Sequence, residues 1–288
     1  MSQSLADLLP VADTPLGLRL WLKSSAYTRR LLLGDGGDPW ESASQYLAYF
    51  SQAHGLLKPD VAVLEVGELF DSWLRRHPEL QPELGAKRKF SFPLRKWLEQ
   101  EGPREILAEV VTALLSHLRG QAPLVLAMPS PCGWLRHANR AAGREDVAPE
   151  AGDIEDAAMY VADLMRAVSM FEIGGLLLEE QAADSGDGPV DLELYRPLIN
   201  VAKHYRWPMA VRLAGNEVAP GAALADIDVV IGSGSMAGLG QARGIDVSVA
   251  LWGGGEVPAP AAGQFYFVEV PQSQRPEHVL ECLSRLRG

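Results

Sequence analysis

Along the chain, short runs that are apolar at every position alternate with longer stretches in which apolar residues return at three- and four-residue steps. The first pattern marks strands buried on both faces and the second marks amphipathic helices. Asp156–Glu180, DAAMYVADLMRAVSMFEIGGLLLEE, holds one copy of each. Ala158, Val161, Met165, Val168 and Phe171 share one helical face, and Gly174 and Gly175 end the helix. Leu176 to Leu178 then forms a buried strand that changes abruptly to Glu179 and Glu180. A parallel strand that turns from apolar to charged within one residue has reached the rim of its sheet.

Further strands are expected at LGLRLWL (16–22), VAVLEV (61–66), PLVLAMP (123–129), MAVRL ending near Arg212, DVVIGS (228–233), VSVALWG (247–253) and FYFVEV (265–270). Between them, helices are expected from Pro39 at a first helical turn, over 69–76, 103–118 and 192–205, and finally over 276–286. Eight strands alternating with helices in fewer than 300 residues predict an α/β fold, a single (β/α)8 TIM barrel. No GxGxxG follows the first strand, a turn that a doubly wound open sheet would often show. The expected organisation is a loosely held N-terminal lead-in over 1–15 and a barrel domain over 16–288.

Composition narrows the partners. The formal net charge of -11 argues against nucleic acid and against an anionic membrane surface. One short basic run, Lys87-Arg88-Lys89 with Arg95 and Lys96, is either a solvated loop or a local contact for an anion or an acidic partner. Cys132 and Cys282 are too few and too far apart for a disulfide framework or a cysteine zinc site. No HxH, HxxxH or HxC spacing occurs among the histidines, so a catalytic zinc centre lacks its usual ligands, and the expectation is a protein without metal or cofactor. The N-terminus lacks the basic segment and apolar core of a signal peptide, and a cytoplasmic location is the expectation.

In a barrel, chemistry belongs at the carboxyl ends of the strands. Those ends supply Lys23, Ser24, Tyr27, Arg29 and Arg30, then Glu65 and Glu68, then Ser130, Cys132, Arg136 and His137. Glu179, Glu180, Arg212, Ser233, Ser235, Trp252 and Glu269 complete the ring. Carboxylates facing one another across a narrow mouth, as at Glu65 and Glu179, raise at least one pKa and can form an acid/base pair. The alternative is that each glutamate pairs with a neighbouring cation. Arg212, at the end of a buried strand, needs either an internal carboxylate or a bound anion. Cys132 is either a packed thiol or, with amide groups near Gly133, an activated one. The glycine-rich stretches GSGSMAG (232–238) and WGGGEVP (252–258) suit phosphate contacts or plain turns, and Trp252 suits a stacked ligand or a barrel roof.

From PLVLAMP onward the layout resembles the uroporphyrinogen decarboxylase and cobalamin-independent methionine synthase superfamily. EDAAMYVADLMRAVSMFEIGGLLLEE is similar to one of its helix–strand units, and DLELYRPLINVAKHYRWPMAVRL to the next. DIDVVIGSGSMAGLGQARGIDVSVALWGGGEVP resembles its late strands, and LRLWLKSSAYTRR stands where its decarboxylases carry a substrate loop with arginines. Lys23 and Tyr27 replace those arginines, Gly67 stands where an aspartate is expected, and VRLAG has no zinc ligand.

The resemblance implies a lyase, of decarboxylase type and working without metal, that acts on a small anionic, carboxylated substrate. Glu65, Glu179 and Glu180 are the expected catalytic carboxylates. Lys23, Tyr27, Arg29, Cys132, Arg136, Arg212, Ser233 and Trp252 are the expected substrate contacts. The alternatives are a methyl-transfer enzyme using a corrinoid or folate partner, and a non-catalytic barrel that serves as a binding subunit. Relatives of this kind imply a possible homodimer.

Overall fold

The computed structural model describes residues 3–10, 17–145, 148–181, 189–213, 215, 218–233 and 242–287. Eight parallel strands are present: β1 (Leu20–Lys23), β2 (Ala62–Glu65), β3 (Leu124–Pro129), β4 (Gly175–Glu180), β5 (Met209–Leu213), β6 (Val229–Gly232), β7 (Ala242–Asp246) and β8 (Gln264–Glu269). Their ladder runs β1-β8-β7-β6-β5-β4-β3-β2, which leaves one seam, between β1 and β2. With helices outside, this is a nearly closed (β/α)8 barrel.

Side chains alternate across each strand, so the register decides what faces the axis. Trp21, Val61, Val125, Ala127, Leu177, Ala210, Val229, Ile231, Phe265 and Phe267 form the buried interior. The opposite parity (Leu20, Leu22, Leu64, Leu126, Leu176, Leu178, Val211) packs against the helices. In six of the eight strands the inward series ends in a charged residue at or next to the last position, and this creates the mouth.

Several helices precede or follow these strand ends. They are α1 (Ser25–Leu33), α2 (Ala43–Leu57), α3 (Val66–Arg76), α4 (Leu80–Leu84), α5 (Phe92–Leu98), α6 (Glu101–Leu118), α7 (Pro131–Ala141), α8 (Ala151–Arg166), α9 (Arg196–Tyr205), α10 (Ser248–Trp252) and α11 (Pro276–Arg287). Ser42 caps α2 by accepting from the Gln45 N–H, and Ser130 caps α7 by accepting from the Gly133 N–H. The stretch 25–33, which stands where the resembled decarboxylases carry a substrate loop, is helical, and it carries Arg29 and Arg30.

Two expectations are corrected. The seventh strand is ARGID at 242–246, not VSVALWG at 247–253; the latter opens with a turn of helix, α10. Gly244 shows why the strand is hard to see. A β-carbon there would lie 2.7 Å from Ile231 and 3.0 Å from Phe265, so that layer of the barrel is already filled by a neighbouring aromatic ring. The strand therefore lacks the apolar run that betrays the others.

The lead-in is also not loose where it is described. Leu5 is fully buried with the barrel interior, and its N–H donates to the Gly174 carbonyl at 2.9 Å. Leu8, Leu9 and Leu18 pack beside it and close the end of the barrel opposite the mouth. The glycine pair that ends the preceding segment is required here: a β-carbon on Gly174 would meet Pro123 at 2.5 Å.

Candidate functional site

Six of the eight strands contribute to one ion cluster at the mouth. Lys23 is the last residue of β1, Glu65 of β2, Asp246 of β7 and Glu269 of β8, while Glu179 and Arg212 lie one residue inside the ends of β4 and β5. Register places Lys23 beside Glu269 and Glu179 beside Arg212. The Lys23 Nζ stands 2.5 Å from Glu179 Oε2, 3.3 Å from Glu65 Oε1 and 3.4 Å from Glu269 Oε1. Arg212 reaches Asp246 at 2.9 Å and Glu179 at 3.1 Å, and also pairs with Glu269. Its guanidinium lies over the Phe267 ring, 4.7 Å from the centroid, so the cluster rests on the aromatic layer of the barrel interior.

Two cations thus face four carboxylates, and the excess charge is negative. Burial pushes the Glu65 carboxyl up to about 8, with Lys23 opposing the shift and Glu179 adding to it. At neutral pH Glu65 is therefore largely protonated. Burial disfavours the Lys23 ammonium, but the three carboxylates around it outweigh that cost and hold its pKa above the ordinary lysine value. The same balance raises Arg212. Glu269 behaves oppositely: burial pushes its carboxyl up, yet Lys23 and Arg212 together bring it below the usual glutamate range. Of the six side chains Glu269 is the most accessible, at 38%, whereas the others lie between 10% and 15%. Solvent reaches the cluster at Glu269.

A second layer fixes these groups. The Ser248 hydroxyl donates to Asp246 Oδ1 at 2.6 Å and accepts from the Glu269 N–H at 2.9 Å, so one side chain ties the ends of β7 and β8 together. Trp252 of α10 donates its indole N–H to the Glu269 carbonyl at 2.7 Å. On the other flank Arg29 of α1 pairs with Glu68 of α3 at 2.7 Å. The Glu68 carboxyl is raised, chiefly by burial and against the pull of Arg29.

Of the expected site residues, Lys23, Glu65, Glu179 and Arg212 come together, and Arg29 stands next to them through Glu68. Trp252 braces the cluster from behind instead of facing a ligand. Glu180 does not join it. One residue beyond Glu179, it points to the outer face of β4 and accepts a hydrogen bond from the Tyr195 hydroxyl in the helical layer. Tyr27 is buried against β1 and α11, also outside the barrel. Cys132 is buried and Arg136 half-buried on α7, and neither belongs to the cluster. Ser233 is exposed just past β6; Ser235 and the rest of GSGSMAG lie outside the described residues.

Asp246 ends β7 and Ser248 opens α10, whereas the sequence pattern points to a strand at 247–253, so neither residue stands out as part of the rim. Glu269 was visible as a strand end, but nothing in the sequence distinguished it from a rim carboxylate. Among the described residues no group of three His, Cys, Asp or Glu side chains is placed to share a metal ion. The carboxylates are instead spaced to hold Lys23 and Arg212. No family model matches the chain, and no curated protein matches it either.

Proposed function

We propose that the barrel is a lyase of the decarboxylase type, acting on a small carboxylated substrate at the mouth. The observation that carries this reading is the Lys23 ammonium held among Glu65, Glu179 and Glu269, all within 3.4 Å, beside a Glu65 that keeps its proton near pH 7. A substrate carboxylate reaches the cluster by replacing Glu269, the accessible partner of Arg212. Set against a wall of carboxylates, that group is raised in energy, and the strain is relieved as it leaves. The bond between carbon and carboxylate breaks, neutral carbon dioxide departs, and the electron pair stays on carbon. Lys23 or Glu65 then gives that carbon a proton, which solvent restores. Binding energy for the charged substrate has to come from its non-reacting part.

The test is to screen small keto, hydroxy and aromatic carboxylic acids for carbon dioxide release by the wild-type protein and by Lys23→Met. Product formed in D2O should carry one deuterium on the carbon that bore the departing carboxylate. Absence of release across the panel, or equal release by the variant, defeats the reading.

One observation favours a second reading, a non-catalytic barrel: Lys23, Arg29 and Arg212 all have carboxylate partners already. On that reading Lys23→Met changes stability alone, and the barrel copurifies with a second chain.

A further inference from the structure

A cavity of about 520 Å³ opens on the helical flank of the barrel between α3 and α7, and no residue of the mouth lines it. Its polar lining is Asp71, Arg75, Gln81, His137 and Arg140. His137 stands with Nε2 2.9 Å from Asp71 Oδ1, and its ring is wedged against Trp97 and Trp134 at centroid distances of 5.2 Å and 6.3 Å. The one carboxylate of the cavity is thereby engaged. What remains free is mostly donor: among the described residues the Arg140 guanidinium and the Gln81 amide have no partner, and Arg75 is shared with Asp38 at 3.0 Å.

The basic run noted in the sequence lies at the same end of α7. Arg144, just past that helix, donates to the carbonyls of Lys87 and Lys89 and ties the run there. A β-carbon on Gly85 would lie 3.6 Å from the Ala142 carbonyl, which brings the two segments into contact. That run does not line the cavity, and Lys89 is paired with Asp156; it is the lining itself that sets two cations, Arg75 and Arg140, against one carboxylate, Asp71, in a chain of net charge -11.

We propose that this flank pocket binds a small multivalent anion, a phosphorylated or polycarboxylated metabolite, through Arg140, Arg75 and Gln81. The proposal is independent of the chemistry at the mouth. The probes are pyrophosphate and citrate, titrated calorimetrically at matched ionic strength; thermal shift alone is insufficient, because both ions stabilise proteins generally by exclusion from their surfaces. Wild type should bind at least one of them saturably, and the one bound assigns the class. Arg140→Glu and Gln81→Glu alter exposed side chains, so the fold, followed by circular dichroism, should persist while binding weakens about tenfold or more. Arg30→Glu, on α1, makes the same charge change as Arg140→Glu away from the pocket and should leave binding unchanged. Saturable binding of neither anion overturns the proposal. So does undiminished binding by the pocket variants, or equal weakening by Arg30→Glu.

Discussion

Lys23 Nζ at the end of β1 and Glu179 Oε2 at the end of β4 meet at 2.5 Å across the barrel mouth, although β2 and β3 stand between their strands around the ring. Such a contact is possible because the last inward-facing residue of each strand is charged, Lys23 in β1 and Glu179 in β4. Lys23→Met removes the cation lying among Glu65, Glu179 and Glu269 and leaves Arg212 alone to offset the buried charge of Glu179, Glu269 and Asp246. We expect a loss of about 3–5 kcal/mol in urea denaturation, in line with orphaning buried charge. Adding Glu179→Gln to that variant should restore part of it. A loss below about 1 kcal/mol would mean the mouth is far wetter than the side-chain burial indicates.

Glu65 makes stability depend on pH in a defined direction. Its carboxyl titrates near 8 in the folded protein and near the ordinary glutamate value of 4.5 when unfolded. The folded state therefore holds this proton more tightly. Its contribution is complete below the unfolded value and is lost as pH rises through the folded one. Glu65→Gln cannot ionise, so its stability relative to wild type should climb between about pH 4.5 and 8, by an amount on the order of a few kcal/mol. Urea melts of both proteins at pH 5 and pH 9 measure it. A pH-independent difference contradicts the assignment.

How far these residues could be read without coordinates depends on what surrounds them. MAVRL and LLLEE declare their ends, because a charge directly follows an apolar run that only a buried strand explains. Lys23, Glu65, Glu179 and Arg212 were legible for that reason. Strand parity was the missing step for Glu180: two adjacent glutamates cannot both face the axis, and the register assigns Glu179 inward. The β7 segment concealed Asp246 because Phe265 occupies the interior beside Gly244, while the β-branched residues after it belong to a helix started by Asp246 and Ser248. The way residues from 3–10 close the base of the barrel depends on long-range contacts that no local periodicity encodes.

Because Glu180 faces the helical layer, its role should be separable from that of Glu179. Tyr195→Phe removes the hydroxyl that donates to Glu180 and should cost about 1–3 kcal/mol of stability. Once a substrate is in hand, turnover by the folded variant should stay within about twofold of wild type. Glu179→Gln, by contrast, removes a partner of both Lys23 and Arg212 and should abolish turnover. Equal kinetic damage from the two would place Glu180 in the chemistry after all.

The barrel floor offers a test of the fold that is free of any assumption about function. Leu5 is fully enclosed by the interior, whereas Leu8, on the same segment, is only partly covered. Leu5→Ala leaves the backbone hydrogen bond to Gly174 intact and deletes only side-chain packing, so its effect measures the fit of the plug. We expect about 2–5 kcal/mol for Leu5→Ala and about half that or less for Leu8→Ala, read from the midpoints of urea transitions with unchanged slope. Small and equal losses would show that the segment does not seal the barrel in solution. The interior layer of Trp21, Phe265 and Phe267 would then be open to water from below.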